Sequence, residues 1–366
     1  MYNILITVAV ITGITAVLAL ILTWADVRIA DYGERKIVIN NDKELVVEGG
    51  NTLLSSLIAN EIFIPSACGG KGTCGYCKCK VDSGAGPVLA TELTYLSDSD
   101  MKNNVRLSCQ VKVKDDMSIQ IPEDLFNVKQ FKGAIEIAKD ITPTIKFLRI
   151  KITDGQEIDF KAGQYVQLLA PPYGDSTEEV FRAYSIASSS FEKNFIDLII
   201  GYVDGGILTT YVHKHLSEGD KVTFNGPYGD FYLQESEVDV VLVAVGTGMA
   251  PIRSILYEML HKKIDRNTIF FFGARTKDDL FMLDEMKMFE NELPRFRFIP
   301  CLSRPREEDN WQGHVGRVND AIFKYLEGKD STEAYLCGSA PMIDSTVNAL
   351  IDKGILKNNI FYDKFD

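Results

Sequence analysis

The 366-residue chain is short of positive charge and of histidine, and it has no internal repeat. Its 39 Lys and Arg stand against 51 Asp and Glu, a net charge of −12. That balance argues against nucleic acid as a partner and offers no basic patch to anionic lipid. Only four histidines occur. They are scattered, apart from His213 and His215, and read as surface or satisfied groups rather than metal ligands. No fixed period and no low-complexity tract appears, which excludes solenoid and disordered architectures. A hydrophobic content of 46% and a charged content of 25% are those of a globular protein. The length suggests two or three domains.

Charge is missing altogether from Asn3 to Trp24, and Ile4 to Leu22 is almost wholly apolar. About 20 residues at a rise of 1.5 Å cross a hydrocarbon core of about 30 Å. No basic residue precedes the stretch, as a cleaved signal peptide would need, whereas Arg28, Arg35 and Lys36 follow it. The pattern predicts an uncleaved anchor over residues 1–25, with Trp24 at the interface. The body would lie on the cytoplasmic face of a bacterial inner membrane, a single-pass arrangement. Residues 26–35 read as a polar linker.

Seven cysteines in so long a chain do not make a disulfide scaffold and point to a reducing compartment. Cys68, Cys74 and Cys77 are spaced C-x5-C-x2-C on a glycine-rich loop, and Cys109 follows at a distance. Four thiolates so arranged suit a plant-type [2Fe-2S] cluster. A structural zinc site is the alternative, although zinc knuckles usually come as two C-x2-C pairs. Gly69, Gly70, Gly72 and Gly75 allow positive φ and leave N–H groups to face sulfides. Cys79 falls in the strand leaving the loop.

Around the loop, Lys36–Ile39 and Glu44–Glu48 read as strand, turn, strand. Thr52 caps a helix over Leu53–Ala59, Cys79–Val81 and Val111–Val113 are further strands, and Met117–Pro122 closes the module. This β-grasp-like module resembles the plant-type ferredoxin fold. Lys71, Lys78 and Lys80 flank the loop, so an electron acceptor docking there would offer carboxylates.

From Ala134 to Phe231 six short strands alternate with Gly, Pro and Asp, which predicts a closed antiparallel β-barrel. Within it, Arg182 and Tyr184 share one face of a strand and Ser185 takes the other. A guanidinium fork suits a pyrophosphate, and an aromatic ring suits stacking on an isoalloxazine. Gly205–Tyr211 reads as a loop entering a helix whose first N–H groups can receive phosphate.

The last third is α/β. Val238–Val245 is a buried strand, followed by Gly246-Thr-Gly-Met-Ala-Pro251 and a helix to His261. Pro251 stands where the third glycine of G-x-G-x-x-G belongs, so the ordinary dinucleotide fingerprint is absent. Strands Thr268–Phe272, Phe296–Pro300 and Ala334–Cys337 alternate with helices, and Cys337-Gly-Ser-Ala-Pro341 is a second strand-to-helix loop. Cys337 reads equally well as a packed strand cysteine.

Taken in order, Arg182-Ala-Tyr-Ser185, Gly226-Pro-Tyr-Gly229, Gly246-Thr-Gly-Met-Ala-Pro251 and Cys337-Gly-Ser-Ala-Pro341 resemble the ferredoxin–NAD(P) reductase superfamily. With the N-terminal stretch and the ferredoxin module, the whole chain resembles the F-subunit family of sodium-translocating NADH:quinone reductases. The cysteine spacing, Glu308-Asp-Asn-Trp-Gln-Gly313 and Tyr362-Asp-Lys-Phe365 are similar to that family's.

The resemblance implies a multidomain fold: a transmembrane anchor (1–25), a linker (26–35), a [2Fe-2S] ferredoxin domain (36–126), an FAD-binding barrel (130–232) and an α/β NAD(P)H-binding domain (237–366). It implies that Cys68, Cys74, Cys77 and Cys109 ligate the cluster. Arg182, Tyr184 and Ser185 would meet the FAD pyrophosphate, ring and N5, with Gly206 and Thr209 at the adjoining helix start. Gly246, Gly248 and Gly338 would admit the nicotinamide nucleotide. Cys337 would sit beside the nicotinamide, and Phe365 would cover the flavin. Electrons would pass from NADH through FAD and the cluster to membrane subunits of a quinone-reductase complex.

At two places the chain departs from that family. The segment between Pro172 and Arg182 is short, which suits a membrane-tethered reductase serving an oxygenase or another soluble acceptor. Ser303-Arg304 stands where the family has an acidic residue, so NADPH is a second candidate coenzyme behind NADH.

Overall fold

The computed structural model describes residues 6, 10–19, 21, 32–66, 68–174, 176–177, 179–328 and 331–365. The chain divides into two compact units, Met1–Val128 and Lys129–Asp366. Much of the expected anchor and linker, namely residues 1–5, 7–9, 20 and 22–31, lies outside the described residues. Residues 10–19 are helical and exposed, but no helix of the described residues is long and apolar enough to cross a membrane.

The first unit holds a mixed sheet of β1 (Glu34–Ile39), β2 (Lys43–Glu48), β3 (Lys78–Ser83), β4 (Val105–Leu107) and β5 (Met117–Gln120), in the order β2-β1-β5-β3-β4. β1 and β2 form the expected hairpin, while β1 and β5 run parallel. The helix Leu53–Ala59 begins as the sequence predicts, with Thr52 Oγ1 accepting from the Ser55 N–H at 3.1 Å. That cap satisfies one of the orphan donors at a helix start. Leu53, Leu54 and Leu57 then bury against Ile37, Ile39 and Ile119.

One expected strand is not there. Val111–Val113 lies across the helix start, where its backbone serves Leu53 N, Gly50 N and Asn51 O. Its residue Lys112 makes only an isolated bridge with Thr52. The strands that pair with β3 are β5 and β4, the latter starting six residues earlier, at Val105.

A buried ion pair ties β4 to the loop before it. Glu92 is fully buried and accepts from Arg106 Nε at 3.0 Å, Arg106 Nη2 at 2.6 Å and Leu107 N at 3.0 Å. Arg106 spends its remaining donors on Gly86 O and Pro87 O, both at 2.9 Å.

The second unit begins with an antiparallel sheet: β6 (Lys129–Thr142), β7 (Ile145–Ile152), β8 (Tyr165–Ala170), β9 (Val180–Ser185), β10 (Phe195–Gly201) and β11 (Lys221–Tyr228), ordered β10-β7-β6-β11-β8-β9. The sheet curls until Ile186, just past β9, bridges Leu198 of β10. Phe131, Leu148, Val166, Leu168 and Phe224 fill its interior, with Leu208 and Val212 of the helix Ile207–Lys214.

The rest of the unit is a parallel sheet of β12 (Val240–Val245), β13 (Thr268–Ala274), β14 (Phe296–Leu302), β15 (His314–Val315), β16 (Glu333–Ser339) and β17 (Ile360–Phe365), ordered β15-β14-β13-β12-β16-β17. Parallel sheets are covered on both faces, which is why β12 reads as one apolar run. Val240, Leu242 and Ala244 pack with the helices Met249–Lys262 and Leu283–Glu292. Val241 and Val243 pack with Val318–Tyr325 and Ala340–Asp352 on the other side. The edge strands β15 and β17 have no counterpart in the sequence reading.

Burial alone would raise the Glu92 carboxyl, yet Arg106 and two backbone N–H groups hold it below its ordinary 4.5. A depressed folded-state value gives stability that is full above pH 4.5 and lost as pH falls through the folded value. Wild-type protein should therefore lose stability on acidification below pH 4.5, and Glu92→Gln should start lower and lose less. Breaking the pair by Arg106→Ala should cost about 3–5 kcal/mol near pH 7. Urea unfolding followed across pH checks both.

Candidate functional site

Cys68, Cys74 and Cys77 sit on the loop between the Leu53–Ala59 helix and β3, and Cys109 lies just past β4. All seven cysteines are free thiols. The four loop glycines take positive φ, as their positions predict, and a Cβ at Gly72 would stand 2.5 Å from Gln110 Nε2. The thiols gather as two pairs. Cys74 Sγ donates to Cys68 Sγ at 3.3 Å, and Cys77 shares a hydrogen bond with Cys109. The shared proton draws Cys68 and Cys109 below the ordinary thiol value, while Cys74 and Cys77 are pushed up.

Among the described residues no three His, Cys, Asp or Glu side chains converge on one ion position. Two irons joined by sulfides need two thiolates apiece, so the paired arrangement fits a [2Fe-2S] cluster. Donors for its thiolates are at hand: Gln110 Nε2 lies 3.6 Å from Cys109 Sγ, and Ser108 Oγ is buried without a partner. Cys79 points into the β3 core, where burial pushes its thiol up to about 12.

On β9, Arg182 is half-buried and its Nη1 donates to Phe181 O at 2.8 Å. Tyr184 packs against the sheet interior, and burial raises its phenol. Ser185 Oγ is buried and unpartnered. Gln167 Nε2 on β8 and both Asn225 Oδ1 and Tyr228 Oη on β11 are likewise buried without partners. Native folds leave few such atoms. Four of them on the neighbouring strands β9, β8 and β11 fit a polar ligand, and only Ser185 among them was singled out from the sequence. Thr209 Oγ1 is occupied locally, donating to Val203 O at 3.1 Å and accepting from Val203 N at 3.2 Å. Gly206 begins the helix Ile207–Lys214, and a Cβ there would stand 2.6 Å from Thr209 Oγ1.

A cleft of about 420 Å³ opens at the carboxyl ends of β12, β13, β14 and β16, roofed by Thr144 and Ile145 from the β6–β7 turn. Ligands of open α/β sheets bind at this end. Gly246 lines the cleft with φ +53 and open space where a Cβ would be. Gly248 is needed for a different reason, since a Cβ there would lie 2.2 Å from Cys337 O. Gly338 is tight against Met342 and Val245. Cys337 is fully buried and its thiol is raised by burial. Asp363, its register partner on β17, is pushed up to about 6. Phe365 pairs with Ser339, which lines the cleft.

Ser303 also lines the cleft, beside Arg275 and Arg317. Those two arginines went unnoticed in the sequence. Arg275 directly follows β13 and Arg317 caps a helix, positions that the strand-end rule could have flagged.

Comparison with known proteins agrees with this layout. Residues 37–114 match the family model described as 2Fe-2S iron-sulfur cluster binding domain, 132–232 match Oxidoreductase FAD-binding domain, and 242–348 match Oxidoreductase NAD-binding domain. The chain is 35% identical over 404 aligned positions to the F subunit of the Na(+)-translocating NADH-quinone reductase of Neisseria meningitidis, covering 99% of both chains. It is 33% identical to the same subunit from Idiomarina loihiensis, with both chains fully covered. An alignment of 404 positions against 366 residues means that the Neisseria relative carries stretches this chain lacks. Among solved structures, the Amycolatopsis cytochrome P450 reductase GcoB superposes with a TM-score of 0.73 and 26% identity, over 90% of this chain and 98% of that one. The ferredoxin reductase in carbazole 1,9a-dioxygenase shares the fold, with a TM-score of 0.69 at 21% identity over 91% of this chain and 98% of that one.

Because the cysteines and the β9 strand lie in different units, Cys74→Ser should abolish iron and labile sulfide while leaving one flavin per chain. Iron assay and the visible spectrum of the purified variant check this. Retained stoichiometric iron would rule Cys74 out as a ligand.

Proposed function

The chain belongs to the F-subunit family of Na(+)-translocating NADH-quinone reductases, and from that membership we propose how its residues divide the work. The protein is an NADH-oxidising electron-transfer flavoprotein: hydride goes from NADH to FAD, and electrons leave singly through the [2Fe-2S] cluster. The observation that carries this reading is the run of three cofactor modules in one order, within a match spanning 99% of the chain.

In our reading Cys68 and Cys74 hold one iron, and Cys77 and Cys109 hold the other. Ser185 Oγ, buried without a partner, is the donor to the flavin, with Arg182, Tyr184, Gly206 and Thr209 lining the rest of its site. Gly246 leaves room for the coenzyme, while Gly248 and Gly338 act by seating their loops on neighbouring backbone and side chains. Cys337 and Phe365 flank the nicotinamide end. Hydride transfer needs no acid or base from the protein, so these residues contribute orientation and exclusion of water. The domain boundaries we assign are 36–126, 130–232 and 237–366.

We assign residues 1–25 as a single-pass anchor on the strength of their uncharged composition. It tethers the catalytic units on the cytoplasmic side, beside the membrane subunits that take the electrons. The likeness to the Amycolatopsis reductase supports a second reading, in which the acceptor is a soluble oxygenase. Identifying the proteins that co-purify after mild detergent extraction separates the two.

Removal of residues 1–25 should leave a soluble protein that still oxidises NADH with ferricyanide, and its rate should not respond to sodium specifically. An uncharged anchor offers no ion path. Steady-state assays with sodium against potassium at fixed ionic strength check this.

NADH should be preferred over NADPH in kcat/KM. Arg275 and Arg317 beside Ser303 should keep NADPH turnover measurable. A tenfold preference corresponds to about 1.4 kcal/mol, and an equal preference for NADPH would reverse the assignment.

A further inference from the structure

The helix Met249–Lys262 starts at the Gly246–Gly248 loop and reaches across to the flavin-side sheet. Its residue Arg253 is buried, and every part of the guanidinium is engaged. Nη1 donates to Ala187 O at 2.7 Å and to Asp197 Oδ2 at 3.1 Å. Nε donates to Glu285 at 3.0 Å, and Nη2 lies 2.9 Å from the same carboxylate. Asp197, on β10, is 1% exposed and takes a second arginine, Arg149 of β7, at 2.7 and 3.0 Å. The result is an alternating chain of two arginines and two carboxylates with no net charge. Burial alone would lower Arg253, but Glu285 and Asp197 hold it above its ordinary value.

These contacts fall on one short stretch of backbone. Ala187 is two residues beyond Ser185. The next helix residue, Ser254, donates its Oγ to Ser188 O at 2.7 Å. One turn further on, Glu258 accepts from Ser190 Oγ at 3.3 Å and from Ala162 N at 3.2 Å. One helix face thus grips residues 187–190, the continuation of the Arg182–Ser185 strand, and the loop that leads into the helix lines the cleft through Gly246.

The magnitudes point away from simple stabilisation. Ala187 and Ile145 already pack with Ile252, Ile255 and Leu256 in one apolar core. A buried ion pair is often no better for stability than well-packed apolar side chains. What apolar contacts lack is direction: they tolerate a slide of a fraction of an ångström, whereas a guanidinium bonded at all three nitrogens does not.

We propose that Arg253 and Asp197 are positioning residues for hydride transfer, fixing the strand that carries Ser185 relative to the loop that opens the coenzyme cleft. The proposal rests on the flavin and NADH sites assigned above. Neither residue lines the cleft. They act by holding the two halves of the site in register.

The test uses full-length, flavin-loaded protein carrying Asp197→Asn, nearly isosteric, or Arg253→Lys, which keeps the charge and loses the fork. Flavin bleaching is followed by stopped flow with NADH, and separately with dithionite, which needs no coenzyme cleft. A displacement near 1 Å costs about 100-fold in rate. The expected result is therefore a loss of about that size with NADH, an unchanged rate with dithionite, and an NADH dissociation constant within about threefold of wild type. Amide hydrogen exchange should quicken at residues 187–190.

An NADH rate within twofold of wild type, or unchanged exchange at 187–190, overturns the proposal. So does an equal loss with both reductants, which would mean a disturbed flavin. Should Asp197→Asn and Arg253→Lys fail to fold, Ser254→Ala removes only the bond to Ser188 O, and it should slow the NADH step with faster exchange; wild-type behaviour in both overturns the proposal. A wild-type protein that NADH does not bleach would instead bring down the functional reading, a result distinguishable from any of these.

Discussion

A single apolar core runs from the curled antiparallel sheet into the parallel sheet of the second unit, joining Ile145, Ala187 and Phe231 to Val240, Ile252 and Phe270. This shared core constrains the rest of the second unit. A parallel strand such as β12 must be covered on both faces, and on one face its helix is sandwiched against the curled sheet. The core holds the helix that begins at the glycine loop against the curled sheet, and the Arg253 bonds to Ala187 O and Asp197 set its register on the strand beyond Ser185. The cleft, bounded by strand ends on one side and by the β6–β7 turn on the other, inherits its shape from that core.

The polar atoms left over are as informative as the apolar ones. A fold that satisfies its backbone and packs its interior still leaves Ser185, Gln167, Asn225 and Tyr228 with buried, unpartnered atoms on adjoining strands. In the first unit Ser108 does the same beside Cys109. Such groups cost about 1–3 kcal/mol each when unpaired. Their grouping beside Cys109 and on β8, β9 and β11, with the thiols gathered two by two, fits binding sites better than it fits a finished core.

Much of this was legible in the residues. Thr52 announces its helix because a hydroxyl ahead of Leu-Leu-Ser-Ser-Leu satisfies a helix-start donor. The apolar run of β12 followed by Gly246-Thr-Gly248 announces a strand-to-helix loop at a ligand-binding edge. The loop cysteines Cys68, Cys74 and Cys77 are legible because their C-x5-C-x2-C spacing is a local property. What failed was non-local. Val111-Lys-Val113 alternates like a strand, yet its backbone is taken by the residues that start the helix. β17 escaped notice because an edge strand pairs on one side only and alternates weakly in burial. Arg275 and Arg317 line one cleft only because β13 ends and the helix after β15 begins there. That a side chain at Gly248 would collide with Cys337 O depends on β16 lying next to the loop, which no local pattern announces.

The placement of β17 has a bearing on how the chain is made. The ferredoxin sheet is complete once β5 has been synthesised, because all five of its strands precede residue 121. The parallel sheet cannot close until Ile360–Phe365 has left the ribosome and found β16. Domains generally fold as units in order of synthesis. The first unit can therefore form its thiol pairs and receive iron while the second is still being translated. Until then the nucleotide sheet has one edge of β16 bare, a row of unpaired backbone groups that β17 alone covers.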